Sequence, residues 1–444
     1  MRKISVQEVV DKAHLNPFHW TILWLCTLII IVDGYDLIVY GVVLPLLMQE
    51  WNLTPSQAGF LGSMTLFGMM FGALTLGVVA DRIGRKKVIL LCLISFSIFT
   101  FLCAFARNPT EFGIYRFIAG AGLGAMFPMI VAVMTEYMPK AIRTTLVALT
   151  VSGYAMGGML AAGLGAWLVP TYGWKLMFYL GLVPLLIVPI VMIALPESLE
   201  FLVRKDEKAA RKIIQKLSPE LALTESDELV RPAAAGGKAP FLEIFREGRA
   251  LGTIMLGVCF GMCLLMVYGL GNWLPKLMNS AGYPLQSSML FLMVLNIGGI
   301  AGGLLGGYLS DRYNVRKVLM VFYFFAALSL ALLGFKTPAP VLYTILFVCG
   351  ATTIGSQILQ YAYSAQHFEF SMRSTGVGFA SSLGRIGAIL GPMLGGALLA
   401  ANLGHQTNFL IFAIPGIIAI FAVMLVRQPK ARNDGLPKTV VVNP

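Results

Sequence analysis

Apolar residues run along this chain in blocks of about twenty, and short polar loops separate them. A helix that crosses a bilayer needs roughly 20 apolar residues. Twelve such stretches can be cut from the chain, near 20–48, 57–80, 88–106, 112–138, 144–169, 175–195, 250–275, 287–309, 318–335, 340–366, 374–400 and 408–427. The longest polar segment, 198–248, divides them six and six. The expected fold is an all-α membrane protein of twelve transmembrane helices in two pseudo-symmetric six-helix bundles. Its parts are a first bundle at 1–197, a cytoplasmic linker at 198–248, and a second bundle with a cytoplasmic tail at 249–444. The first nineteen residues are polar and mixed in charge. The stretch after them is too long for a signal-peptide core and lacks a small-residue cleavage site, so it is expected to remain as the first span.

The loops then repeat. Gly77-Val-Val-Ala-Asp81-Arg82-Ile-Gly84-Arg85-Lys86-Lys87 returns 230 residues later as Gly307-Tyr-Leu-Ser-Asp311-Arg312-Tyr-Asn314-Val-Arg316-Lys317. At the same offset Gly41, Leu44 and Pro45 match Gly271, Leu274 and Pro275, Gly68 and Gly72 match Gly298 and Gly302, and Arg143 matches Arg373. Agreement over most of each half implies duplication of one membrane unit. Parallel repeats of this kind build alternating-access transporters.

Composition agrees with the pattern: 57% of residues are hydrophobic and only 12% charged, about half the charge of a soluble chain. A net charge of +12 raises the question of nucleic acid, but the cations fall in alternate loops. They concentrate at Arg2, Lys3 and Lys12, at Arg82 to Lys87, at Lys140 and Arg143, along 204–216, at Arg312 to Lys317, and at the C-terminus. This is the positive-inside bias, which puts both termini in the cytoplasm and excludes a polyanionic partner as the explanation. The six cysteines all lie in apolar spans without metal-ligand or redox spacing and read as small packing residues.

Within the linker, Arg204 to Lys216 alternates charges with Ile213, Ile214 and Leu217, like an amphipathic helix on the cytoplasmic surface. Ala233 to Pro240 reads as a flexible tether. Spans five and eleven are rich in glycine and alanine, which lets helix backbones approach closely in lipid and also permits bending.

Several polar residues have chemistry that packing alone does not require. The Asp81 loop can lock two helix ends in one conformation, with the carboxylate receiving helix amides and guanidinium groups. Its cations also suit anionic lipid. Asp81, Arg82, Arg85, Arg143, Asp311, Arg312 and Arg373 therefore form a candidate conformational gate. Glu136, seven residues before Arg143, suits either an ion-pair gate or proton handling. Asp33-Gly-Tyr-Asp36 lies in the middle of the first span, where two carboxylates are expensive and should face a cavity or a cation. Their i, i+3 spacing puts them on one side of the helix, with Tyr40 a turn beyond. Desolvation raises a carboxylate's proton affinity, as a proton-coupling site requires; one Asp capping a broken helix, or pairing permanently with an arginine, is the plainer alternative. Arg385, flanked by Gly384 and Gly387, is the candidate clamp for a substrate carboxylate, because a guanidinium grips one with two parallel hydrogen bonds. Arg116 suits a second substrate contact or a partner for Asp33 or Asp36. Tyr268, Asn272 and Trp273 in span seven, with Gln357, Gln360 and Tyr361 in span ten, offer flat walls and hydrogen bonds to an aromatic ligand. His367 lies near a membrane face and reads as a surface histidine.

The string from Gly77 to Lys87 strongly resembles the conserved cytoplasmic loop of the major facilitator superfamily. With Asp33-Gly-Tyr-Asp36, Arg116, Glu136, Arg373 and Arg385 added, the chain resembles the superfamily's aromatic acid:proton symporters over nearly its whole length. That resemblance implies the major facilitator fold, proton-driven uptake of an aromatic carboxylate of benzoate or 4-hydroxybenzoate type across a bacterial inner membrane, and functional importance for Asp33, Asp36, Arg116, Glu136 and Arg385. It implies no cofactor beyond the proton gradient, and the expected partners are the aromatic acid, protons and membrane lipid, with the protein a monomer. Drug antiporters of the superfamily carry Gly-Pro-x-x-Gly-Gly in span five; here Gly153-Tyr154-Ala-Met-Gly157-Gly158 has tyrosine in place of the proline. Uptake of another organic anion, such as a dicarboxylate, is the nearest alternative. A receptor or channel suits the matched loops less well, and no nucleophile, base or metal constellation points to an enzyme. The repeat sharpens the site: Asp33, Asp36, Arg116 and Arg385 are met at the 230-residue offset by Cys263, Met266, Leu346 and Ala155.

Overall fold

The structure, a computed structural model, describes residues 3–218, 228–230, 241–246, 248–368 and 372–426. Twelve helices among them are long and apolar enough to cross a membrane. Among the described residues the secondary structure is helical apart from one short pairing: Lys3–Ser5 lies parallel to Glu228–Val230 of the linker, a contact that the reading of a plain polar N-terminus missed.

Helix boundaries follow local chemistry. The first span, Pro17–Glu50, begins at Asn16, whose side chain accepts from the Phe18 and His19 amides, with proline at the first helical position. Thr54 caps the second span, Pro55–Ile83, in the same way, and Asn108 caps the fourth, Pro109–Tyr137. Gly84 then turns the chain at φ 103, in the left-handed region that favours glycine. The sixth span is the irregular one. Lys175–Ala194 has a 3₁₀ stretch at Leu180–Leu186 containing Pro184, which breaks the helix expected there into three pieces.

The linker helix Glu207–Leu217 buries Ala210, Ile214 and Leu217 against the first half. Asn16 ties its end down by donating to the Lys216 and Leu217 carbonyls at 2.9 and 3.2 Å. Its apolar face thus meets protein. The proposed tether at 233–240 lies outside the described residues.

Close packing repeats with the sequence. A Cβ added at Gly68 would meet the Phe117 carbonyl at 2.0 Å, and one at Gly298 would meet the Phe347 carbonyl at 2.1 Å. Gly72 abuts the Ala121 carbonyl and Gly302 the Ala351 carbonyl, both at 1.9 Å. Gly157 abuts Ile31 in the same way, and Gly387 abuts Gly261, again at 1.9 Å. Each pair of contacts is separated by 230 residues on both sides. Spans one and five, and likewise seven and eleven, are therefore welded at the same backbone positions.

The two halves meet along spans two and eleven, one and seven, and five and eight. Gly59 approaches the Pro392 carbonyl, Gly396 approaches that of Pro55, and Ser63 donates to the Ile389 carbonyl at 2.7 Å. Gly41 abuts the Gly271 carbonyl. All these contacts lie toward the 51–54 and 281–284 loops. The antiparallel register of spans two and eleven brings Gly77 opposite Gly378, yet a Cβ on either would meet nothing within 4 Å. The halves are sealed at one end and diverge toward the Asp81 and Asp311 loops.

Gly157→Val should lower the thermal midpoint of detergent-solubilised protein by an amount equivalent to about 1–3 kcal/mol, the usual cost of overpacking. Gly77→Ala should leave it unchanged or raise it, because the helix gains alanine's propensity without a clash.

Candidate functional site

Two carboxylates three residues apart on one helix meet opposite fates. Arg116, from span four, donates through Nη1 to both carboxylate oxygens of Asp36 at 2.9 Å and through Nη2 to its backbone carbonyl at 2.9 Å. The Thr100 hydroxyl of span three adds a bond to Oδ1 at 2.5 Å. Both ions are 1% exposed. Removing charges from water is costly, and this geometry offsets the cost by filling the carboxylate's acceptor sites. Asp36 and Arg116 are thus held to each other, as in the plainer of the two readings drawn from sequence.

Asp33 is equally buried, but neither carboxylate oxygen has a hydrogen-bond partner. Asp36 and Arg385 act on it electrostatically. Arg385 approaches from span eleven of the opposite half and donates to the Met69 carbonyl at 3.2 Å. It forms no salt bridge among the described residues. The orphan carboxylate and a cation without an ion pair among the described residues thus lie within each other's field from opposite halves.

Tyrosines surround them. Tyr268 of span seven interacts with Arg385, Asp33 and Tyr154, and Tyr361 of span ten also feels Arg385. Tyr361 is enclosed by protein yet 40% exposed, so it borders the internal space. Gln357, half-buried, precedes it by four residues on the same helix face. Tyr154 was noted in the sequence only as a replaced proline, and its place beside Asp33 was missed. The contact is visible only in the fold: a Cβ added at Gly34, next to Asp33, would meet the Tyr154 carbonyl at 2.1 Å.

Other residues expected at a ligand are hydrogen-bonded within their own half in this conformation. Tyr40 donates to the Ala58 carbonyl at 2.6 Å, and Trp273 donates to that of Pro392 at 2.7 Å. Asn272 donates to its own helix at Tyr268, and its Oδ1 lies against Gly62. Gln360 is buried and donates to the Cys259 sulfur at 2.9 Å. His367 is no surface residue: it is 8% exposed, with its ring against Gly252 and Phe368. All six cysteines are free and buried.

At the diverging end, Glu136 accepts from Arg85 and from the Ser198 hydroxyl, both at 2.8 Å. It belongs to this cluster and not to Asp33. Glu197, absent from the sequence reading, accepts from the Lys86 and Ser198 amides, and its carbonyl takes the Tyr137 hydroxyl. Arg143 pairs with Asp11 and donates to the Met138 carbonyl at 2.9 Å. Arg82 and Asp311 are exposed, and Arg312 lies 5.1 Å over the Tyr308 ring. The side chains of Asp81 and Arg373 lie outside those described.

Known proteins share this architecture. A family model described as Major Facilitator Superfamily matches residues 26–369 and 296–441. The benzoate transport protein of Acinetobacter baylyi is 47% identical over 435 residues, covering 96% of this chain and 93% of that protein. The 4-hydroxybenzoate transporter PcaK of the same organism is 33% identical, covering 95% and 94%. Among solved structures, the inward open conformation of the xylose transporter XylE from E. coli overlays with a TM-score of 0.73 at 17% identity, covering 93% of this chain and 98% of that one.

The two aspartates should separate by experiment. Asp36→Asn strands a buried guanidinium and should cost about 3–5 kcal/mol, read as a large fall in thermal midpoint. Asp33→Asn breaks no hydrogen bond and should leave the midpoint unchanged or higher.

Proposed function

This chain belongs to the Major Facilitator Superfamily, and on that premise we propose that it is a proton-coupled symporter of an aromatic carboxylate of benzoate type, working by alternating access. The observation that carries the reading is the unpartnered Asp33 carboxylate facing Arg385 across the two halves. Its 47% identity to a benzoate transport protein supports the substrate class.

Charge balance supplies the mechanism. In the empty carrier Asp33⁻ and Arg385⁺ compensate each other through space. An incoming carboxylate takes the guanidinium with two parallel hydrogen bonds and leaves Asp33 as an uncompensated buried anion. A proton on Asp33 restores neutrality. Empty and doubly loaded carriers can therefore close around the site, whereas a carrier holding only the anion cannot. Asp36–Arg116 stays paired throughout and keeps the first span fixed to spans three and four. Tyr268, Tyr361 and Gln357 supply the aromatic and hydrogen-bonding wall.

The positive-inside bias of the loops supports a reading with both termini and the Asp81 and Asp311 loops in the cytoplasm of a bacterial inner-membrane protein. The sealed end then faces outward, and the conformation is inward-facing. Closing the cytoplasmic side brings Gly77 toward Gly378, and breaks or slides the Ser63 and Arg385 contacts between spans two and eleven.

Radiolabelled benzoate uptake into energised right-side-out vesicles tests the coupling. Accumulation should collapse with a protonophore; accumulation that ignores it would sink the symport reading. Asp33→Asn should abolish uphill uptake while retaining exchange down a gradient. Arg385→Lys should weaken uptake by at least about tenfold, because the planar fork is lost. Gly77→Leu should trap the inward-facing state, seen as ligand binding without transport.

A further inference from the structure

We propose that Tyr154 and Tyr268 form a reversible hydrogen-bond relay that reports the protonation of Asp33 to the anion site at Arg385. This rests on the symport reading above and names the residues that couple its two ligands. Asp33 and Tyr154 come from spans one and five, which Gly34 and Gly157 hold at backbone contact. Tyr268 and Arg385 come from spans seven and eleven, held likewise at Gly261 and Gly387. The Tyr154 and Tyr268 hydroxyls interact across the junction of the halves. Tyr154 also lies within the field of Asp33, and Tyr268 within those of Asp33 and Arg385. Both Asp33 oxygens are buried without hydrogen-bond partners, and the Tyr154 hydroxyl, likewise buried, closes no hydrogen bond in this structure, so the row has an acceptor and a donor still to be filled.

A hydroxyl gives one hydrogen bond and accepts others, so a row of them can run in either direction. With Asp33 ionised, the Tyr154 hydroxyl donates to the carboxylate, and the Tyr154 oxygen accepts from Tyr268. The Tyr268 oxygen then turns its lone pairs toward Arg385, where they accept from the guanidinium and repel an arriving anion. With Asp33 protonated, its O–H donates to Tyr154, Tyr154 donates to Tyr268, and the Tyr268 O–H points at the anion site. A substrate carboxylate on Arg385 gains that donor. One proton is added at Asp33, the phenols only rotate, and no proton leaves the row. The remaining charged group that acts on Asp33 is Asp36 on its own helix, itself paired with Arg116 of span four. Proton and anion thereby favour each other by direct contact as well as through the field.

The test is the pH dependence of benzoate affinity, measured calorimetrically on the purified full-length protein over a range where benzoate stays ionised. The wild type should bind more tightly as pH falls, approaching about tenfold per unit through the titration of Asp33. Tyr154→Phe keeps the ring and should flatten that slope to about twofold per unit or less. Tyr268→Phe, which breaks the same row from the other half, should flatten it too and weaken binding at low pH. Asp33→Asn should abolish the slope. Thermal midpoints identify any misfolded variant, and the second phenylalanine variant then decides. A parallel loss of affinity at every pH with the wild-type slope intact in both variants would overturn the relay and leave field coupling alone. A wild type without any pH slope would instead contradict the symport reading itself.

Discussion

A charge buried at membrane depth must be compensated, and this structure compensates one carboxylate fully while leaving its neighbour open. Asp36 receives Arg116 and Thr100 and is closed to further chemistry. Asp33, one helical turn earlier, has no hydrogen-bond partner and feels only the fields of Asp36 and, from the opposite half, Arg385. That difference turns a helix with two acids into a scaffold ion pair plus a movable charge. On the symport reading everything at the site depends on it: the cation is left for an anion, and the acid for a proton.

The glycine contacts are the mechanical counterpart of this electrostatic arrangement. Backbone-to-backbone approach between spans one and five, and between seven and eleven, leaves little freedom inside a half. On the alternating-access reading, mobility is displaced to the boundary between halves. Asp33 and Arg385 sit on either side of that boundary. A change in their charge state would then act on the relation between the halves and not on either half alone. The cluster of Arg85, Glu136, Glu197 and Ser198 fastens helix ends of the first half where the two diverge.

Much of this was legible in the sequence, because hydrophobic blocks and loop charge report directly on the bilayer. The 230-residue offset carried further than motif spelling: Gly68 and Gly298, and Gly72 and Gly302, make matching contacts because duplicated helices pack alike. The broken symmetry pointed to Asp33, Asp36, Arg116 and Arg385. What a sequence does not contain is the partner of each charge, since Arg116 reaches Asp36 across 80 positions and two helices. Tyr40 and Trp273 looked like ligand walls because aromatic residues serve packing and binding equally well; only the structure shows their polar ends bonded to the Ala58 and Pro392 carbonyls of their own halves. Tyr154 was visible as a departure, yet its meaning came from the glycine opposite. The irregular sixth span and the strand pairing of Lys3–Ser5 depend on Pro184 and on a distant linker segment respectively, and neither leaves a periodic signal.

The most direct measurement of the central claim is proton exchange on binding. Purified protein in weakly buffered solution near neutral pH, with a pH-sensitive dye, is mixed with benzoate. The account predicts uptake of close to one proton per benzoate bound, absent in Asp33→Asn, which should still bind the anion. Binding without proton uptake in the wild type, or undiminished uptake in Asp33→Asn, would contradict it.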